Sequence, residues 1–509
     1  MPSIGELPGA QRRTIVCAAA ALLAAALTIV GGCSEPPSEL AGYNLVLVNI
    51  DTLRADHLGC YGYQRNTSPF LDFLCRNGVV FERGNSNSSY TRESVAALFT
   101  GRLPSSSGST GWNAVPAPDS ATLAELLGAA GYATALFSNT VMLRRAGFER
   151  GFDVVQHLSK NWDSSGEGRR LTDRVLAHVA RLGEEPFFVY LHYLDPHAPY
   201  RPGSAALAAL DLQPHPASVA LYDEVAPELQ RLRSNGFGPG DPRFEDLVAR
   251  YDAEIRTTDD ALRALVAGLE GRGLLDRTLI VVTADHGEEF LEHEYIEHGW
   301  TLYEEAIRVP LIFVAPGALE PTRTQVGASH VDIVPTVLDL LGVEAMSETT
   351  DGRRLFARDS GTLLPIAEER ARISELVLLE RQVVRAVVSG RWKYIATYQR
   401  VPPRDRSAYD REAVATNSAG PWGPVELEEV YDLVRDPKEQ HNLLLDRDRD
   451  RDRREAARVR ARLGKQLREL RSRSVDVPTG RPSIAAPDVP PEDRAHLEAL
   501  GYLDARESE

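Results

Sequence analysis

The sequence predicts an α/β fold: a large, mostly parallel sheet sandwiched by helices, with a small antiparallel α+β subdomain towards the C-terminus. Three observations predict it: recurrent apolar runs without alternation, helical patterns between them, and hairpin patterning after about Gly342. The first run, Leu45 to Ile50, is apolar but for Asn49, as a strand buried on both faces requires. Ala133 to Phe137, Phe187 to Leu191, Leu279 to Val282 and Val309 to Val314 repeat the pattern. Between them, Asp119 to Ala130 reads as a helix capped by Asp119 and stopped by Gly131, with Leu123, Leu126 and Leu127 on one face. Phe244 to Leu269 reads as a longer helix. Strands alternating with helices imply crossover connections and hence parallel pairing. Val383 to Tyr398 predicts a hairpin turning near Ser389-Gly390, and Ala456, Val459, Leu463, Leu467 and Leu470 mark a late helix. The Asp/Arg alternation of Asp446 to Arg453 reads as a solvated face of that helix, and Val475 to Pro491 as extended chain.

The chain has 509 residues, enough for one large domain and a smaller appendage. Its net charge of −16 argues against nucleic acid as a partner, whereas an anionic ester remains compatible if a metal supplies local positive charge. Arg12 and Arg13 precede an apolar stretch from Thr14 to Val30, short for a membrane span, and Val30-Gly31-Gly32-Cys33 follows. That arrangement resembles the lipobox of bacterial lipoprotein signal peptides. The resemblance implies loss of residues 1–32, lipid on Cys33, a tether over 33–43 and a place in the cell envelope, facing the periplasm or at the outer membrane. A retained anchor helix is the alternative. A catalytic domain is then expected over 44–345, a subdomain completing it over 346–445, and a charged helix with a Pro-rich tail over 446–509. Cys60 and Cys75 would remain in the mature chain, as a disulfide or as two buried thiols.

The ends of the predicted strands carry the chemistry. The first run ends at Asp51, the second leads to Asn139, the third to Asp195 and His197, the fourth to Asp285 and His286. Open α/β sheets bind their ligands beyond the carboxyl ends of the strands, so four strands deliver these groups to one edge. Asp51, Asp285 and His286 suit one divalent cation, and the imidazole favours zinc or manganese, with calcium compatible. Thr91 opens a short apolar helix. It serves either as a helix cap or as a nucleophile whose hydroxyl a cation would activate.

These residues resemble the sulfatase family of the alkaline phosphatase superfamily. Asp51 to Gly59 looks like its first metal segment, and Thr91 to Arg102 is similar to its signature helix, ending in Leu98-Phe99-Thr100-Gly101-Arg102 where the family has Leu-Thr-Gly-Arg. Asp195-Pro196-His197, the Asp285-His286-Gly287 segment, His298-Gly299, Arg308-Val309-Pro310, Asp332 to Thr336 and Tyr431-Asp432-Leu433 continue the match over residues 44 to 445. The resemblance implies an ester hydrolase with one divalent metal held by Asp51, Thr91, Asp285 and His286. It implies that His197 and His298 contact the transferred group or protonate the leaving oxygen.

The departures carry as much weight. Thr91 stands where the family has a cysteine or serine oxidised to formylglycine, so no formylglycine is expected. Glu93 and Val95 replace the motif proline and arginine, Thr52 replaces the second of two aspartates, and His286 stands where many members have asparagine. A threonyl ester cannot release its group by collapse to an aldehyde, so water or a second alcohol must attack the transferred group. This favours phosphate or phosphonate esters over sulfate esters. Arg92 is assigned as an oxyanion clamp and Asn139 to the same pocket; His192 reads as a core or supporting residue. A second metal on Asp195, His197 and His298 is the minor variant. A transferase acting on an envelope glycan or lipid, and a non-catalytic binding lipoprotein, are the competing readings. Leaving-group specificity is assigned to loops such as Gly203 to Pro242.

Overall fold

The computed structural model describes residues 40–111, 114–144, 146–158, 167–213, 236–344, 350–359, 362–378, 382–400, 422–446 and 450–471. The lipobox with Cys33, part of the Gly203 to Pro242 segment and the Pro-rich tail lie outside them. No described helix is long and apolar enough to cross a membrane.

Eight strands form the main sheet: β1 (Asn44–Ile50), β2 (Val79–Asn85), β3 (Ala133–Ser138), β4 (Val154–His157), β5 (Phe187–Tyr193), β6 (Thr278–Thr283), β9 (Leu311–Val314) and β10 (Thr322–Ser329). The two short strands between, β7 (Glu289–Phe290) and β8 (Ile296–Glu297), pair only with each other. Sheet order is β10-β2-β9-β6-β1-β5-β3-β4, so β1 lies at the centre between β6 and β5. All five predicted strands are present, and β1, β3, β5 and β6 run parallel. The fifth does not: β9 is antiparallel to both β6 and β2. The segment from β6 to β9 holds the β7–β8 hairpin and one turn of helix, Glu304–Ile307, and no crossover helix to return the chain in the same direction. Strands β2, β4 and β10 carry no continuous apolar run, so periodicity alone does not assign them. The burial of β10, where part of the strand faces solvent, shows why.

Helices cover both faces, and each face has its own apolar core. The long helix spans Pro242–Glu270, within two residues of expectation at each end. The helix expected from Asp119 starts later, at Leu123, because Thr122 rather than Asp119 is its cap. Thr122 and Glu125 form a reciprocal capping box that fixes the start.

The small sheet contains β13 (Arg372–Leu378), β14 (Gln382–Ser389), β15 (Trp392–Arg400) and β16 (Trp422–Asp432), all antiparallel, after the two-stranded β11 (Phe356–Asp359) and β12 (Thr362–Pro365). The hairpin turns at Gly390, with φ +60. One face of this sheet packs on Tyr90, Leu302, Ala306 and Ile307 of the large domain. The other receives Ala456, Val459, Leu463 and Leu467 of the Asp450–Arg471 helix.

Cys60 and Cys75 form a disulfide, 15 residues apart in sequence. Closing a loop of that length stabilises a fold by about 3 kcal/mol through the unfolded chain. Cys60→Ser with Cys75→Ser is expected to lose about that much in urea unfolding. An unchanged midpoint in reductant would mean that the pair contributes nothing.

Candidate active site

Asp51 follows β1 directly, and Asp285 and His286 follow β6, its immediate neighbour. Parallel register therefore brings two carboxylates and an imidazole to one point without any long side chain reaching for them. All three are buried, and their ligand atoms lie within 4.8 Å of one another. Among the described residues no other set of three such side chains converges in this way, and Asp195, His197 and His298 do not.

The hydrogen bonds fix which atoms face inward. Asp51 Oδ2 meets His192 Nε2 at 3.0 Å, while Asp51 Oδ1 has no hydrogen-bond partner. Asp285 Oδ1 accepts the Thr52 N–H at 3.3 Å and the His286 N–H at 3.0 Å, and Oδ2 has no hydrogen-bond partner. His286 Nδ1 lies 3.0 Å from the Gly287 carbonyl oxygen, which can only accept. In the neutral ring the proton therefore sits on Nδ1, leaving Nε2 as the ligand atom, 3.8 Å from Asp51 Oδ1 and 3.6 Å from Asp285 Oδ2. Two buried carboxylate oxygens without donors, beside the ring nitrogen Nε2 of His286, fit a divalent cation with mixed N and O ligands. Charge agrees. Burial would raise the Asp51 carboxyl, but the His192 hydrogen bond and the fields of His197, His192 and His286 hold it well below the usual range. Burial and the Asp51 charge push Asp285 upward.

Thr91 is the first residue of the Thr91–Thr100 helix, and Tyr90 is its cap. The cap reading of Thr91 is thereby corrected. Its hydroxyl turns away from the first-turn amides, and Oγ1 lies 3.1 Å from His286 Nε2. The helix is anchored against the site because Ser94 donates to the Asp285 carbonyl oxygen at 2.6 Å and meets His330 Nδ1 at 3.1 Å.

His298 lies against His286, ring centroids 4.3 Å apart, and His197 meets His298 edge-on at 4.8 Å. Three imidazoles thus lead away from the carboxylate pair. Glu288 steadies the middle one, Oε1 to His298 Nδ1 being 2.9 Å, and Tyr200 donates to its other oxygen at 2.8 Å. Arg92 is buried with Nε donating to the Met142 carbonyl oxygen at 3.0 Å. Asn139 ties β3 to β5 by accepting the Leu194 N–H at 2.8 Å; its Nδ2 has no hydrogen-bond partner.

Residue-level reasoning does not reach Glu288, Ser94 and His330, which touch the site only through other groups. Nor does it assign a role to Thr52, which takes a left-handed φ of 55° while its N–H holds Asp285. A glutamate in Gly287-Glu288-Glu289 looks like any surface acid until its burial is known.

Gly287 has a strict requirement. A Cβ there would stand 2.0 Å from the Glu305 carbonyl oxygen. Gly287→Ala is expected to cost about 1–3 kcal/mol and to displace the carbonyl that sets the His286 tautomer. Thermal melts and kcat/KM should therefore fall together, and unchanged kcat/KM would contradict this account.

The sequence model of the Sulfatase family matches residues 43–343, more than half of the chain. The chain belongs to the sulfatase family. This sulfatase-family hydrolase is 28% identical to human arylsulfatase A over 482 residues, covering 86% of this chain and 87% of that one. It is 21% identical to the N-acetylglucosamine-6-O-sulfatase of Bacteroides thetaiotaomicron over 509 aligned residues, 83% of this chain and 86% of the relative. The solved phosphonate monoester hydrolase of Agrobacterium radiobacter shares the fold, with TM-score 0.64 and 19% identity over 85% of this chain and 96% of that one.

Proposed function

We propose that this sulfatase-family hydrolase cleaves phosphate or phosphonate esters, with sulfate esters as the second class, through Thr91 as nucleophile and without formylglycine. The observation that carries the reading is the 3.1 Å approach of the Thr91 hydroxyl to His286 Nε2, beside the unpartnered oxygens of Asp51 and Asp285. A divalent ion held by Asp51, Asp285, His286 and Thr91 would supply the positive charge that lowers the hydroxyl pKa and offsets charge on the transferred group.

The side chains do the rest. Thr91 Oγ, its hydroxyl proton already lost to water, forms a bond to phosphorus or sulfur while the bond to the leaving oxygen breaks. That oxygen leaves as an alcohol with a proton from His197, while His298, which burial and the neighbouring His286 hold well below the usual imidazole range, contacts the transferred group. Water then attacks the transferred group, frees Thr91 and releases the anion, and the histidine recovers its proton from that water. The buried, adjoining rings of His286, His298 and His197 support this assignment. Tyr295 and Trp300 are exposed and nearly parallel on the loop that carries His298. Within this reading the chain is a lipoprotein held to an envelope membrane through Cys33, which the motif around that residue supports.

Nitrophenyl sulfate, phosphate, phosphate diester and phosphonate, each with manganese or zinc added, test the proposal. The diester or phosphonate should turn over fastest. Turnover of the sulfate alone would overturn the preference for phosphorus.

A further inference from the structure

The small sheet carries a second concave surface on the side away from Thr91. The Asp450–Arg471 helix lies across that far face, and a cavity of 430 Å³ opens between it and the start of β15. Trp392 and Val459 form the apolar part of its lining; Arg451, Arg454, Arg458 and Arg462 supply the charge, with Glu455 as the single acid.

Two features set this surface apart from an ordinary solvated helix. The first is local charge. The helix has nine Lys and Arg against four Asp and Glu, net +5 in a chain of net −16. The second is that the charge of the four groove arginines is not neutralised, although other basic groups on or beside the helix find partners: Arg460 pairs with Glu428, Lys465 with Glu469, and Arg435 reaches Asp452. Arg451, Arg454, Arg458 and Arg462 are exposed and have no carboxylate partner among the described residues. Spaced three and four apart, they line one face over about 16 Å, and like charges at that spacing destabilise a helix. An arrangement that repels itself gains most from an anion with several charges.

We propose that this groove binds an anionic oligosaccharide, one that carries sulfate or phosphate ester groups along its length. Guanidinium forks match such groups in plane and in pairs of hydrogen bonds. Trp392 is half-buried and braced by Arg391, whose guanidinium carbon lies 5.1 Å from the ring centroid. Its indole offers a rigid flank on which a sugar ring stacks, which neither a flat lipid headgroup layer nor an acidic peptide requires. The sheet separates groove from active site, so the groove would tether a polymer and raise its local concentration at the site. The choice of a saccharide carrying anionic esters rests on the ester-hydrolase reading; the groove's need for an anion does not.

Calorimetric titration of the full chain with dextran sulfate tests the proposal, with neutral dextran, polyglutamate and phosphatidylglycerol vesicles as comparisons. Dextran sulfate should bind, more weakly as salt rises, and neutral dextran should not. The triple variant Arg454→Ala, Arg458→Ala, Arg462→Ala should lose about tenfold or more in affinity while kcat/KM on a small nitrophenyl ester stays unchanged. Equal binding by the variant, or tighter binding of polyglutamate or vesicles, would overturn the proposal. Because binding is read without turnover, its failure is distinct from failure of the Thr91 mechanism.

Discussion

Thr91→Ala is expected to lower kcat/KM on the order of 10⁴-fold, while Thr91→Ser stays within about tenfold of the parent. The side chain is fully buried, and its hydroxyl meets the His286 imidazole rather than the helix that Thr91 opens. Removing the oxygen therefore removes the atom that attacks, whereas removing only the methyl group leaves it in place. The helix is held independently by Ser94 and the Asp285 carbonyl oxygen, so the alanine variant should melt close to the parent. Steady-state kinetics with a thermal melt of each variant makes the check. Full activity in Thr91→Ala, with its fold intact, would move the nucleophile elsewhere. Mass spectrometry of rapidly quenched enzyme should find the transferred group on the Thr91 oxygen in the parent. In the Thr91→Ser variant it should sit on the hydroxyl that replaces it.

How much of this was legible in the sequence follows from the range of the forces involved. Strands β1, β3, β5 and β6 are buried on both faces, so each is written as a mainly apolar run, interrupted by Asn49 in β1, Thr134 in β3 and His192 in β5, and the polar residues beyond its end stand out. Asp51, Asn139, Asp285 and His286 are visible in that way. The direction of β9 is not, because a four-residue apolar run looks the same in either sense and the connection decides. Thr122 displaces Asp119 as a cap because the reciprocal contact with Glu125 outweighs a lone acid. Support around the site is the least visible part. Glu288 holds His298, and Ser94 holds the turn at Asp285, through contacts that span 10 and 191 residues. His192 is the partial exception. Its place on β5 marks it as a supporting residue, and it holds Asp51 Oδ2 while its other nitrogen meets the Tyr190 hydroxyl at 3.0 Å.

Asp285→Asn is expected to change stability in opposite directions with and without metal. In chelator the variant should be more stable than the parent, by about 1–3 kcal/mol. Two buried carboxylates face each other with Asp51 Oδ1 and Asp285 Oδ2 lacking donors. An asparagine would keep the oxygen that accepts from Thr52 and His286 and turn an N–H towards Asp51. With zinc or manganese at about a hundred times its dissociation constant, the parent should gain about 2.7 kcal/mol, and the variant, short of one anionic ligand, should gain far less. The two melting curves should therefore cross as metal is added, and kcat/KM should collapse in the variant only where the parent is loaded. A variant less stable than the parent in chelator would mean that the Asp285 carboxylate is already satisfied by the protein alone. The case for a cation between Asp51, Asp285 and His286 would then lose its physical basis, because that case is the cost of two buried carboxylate oxygens that receive no hydrogen bond from the chain.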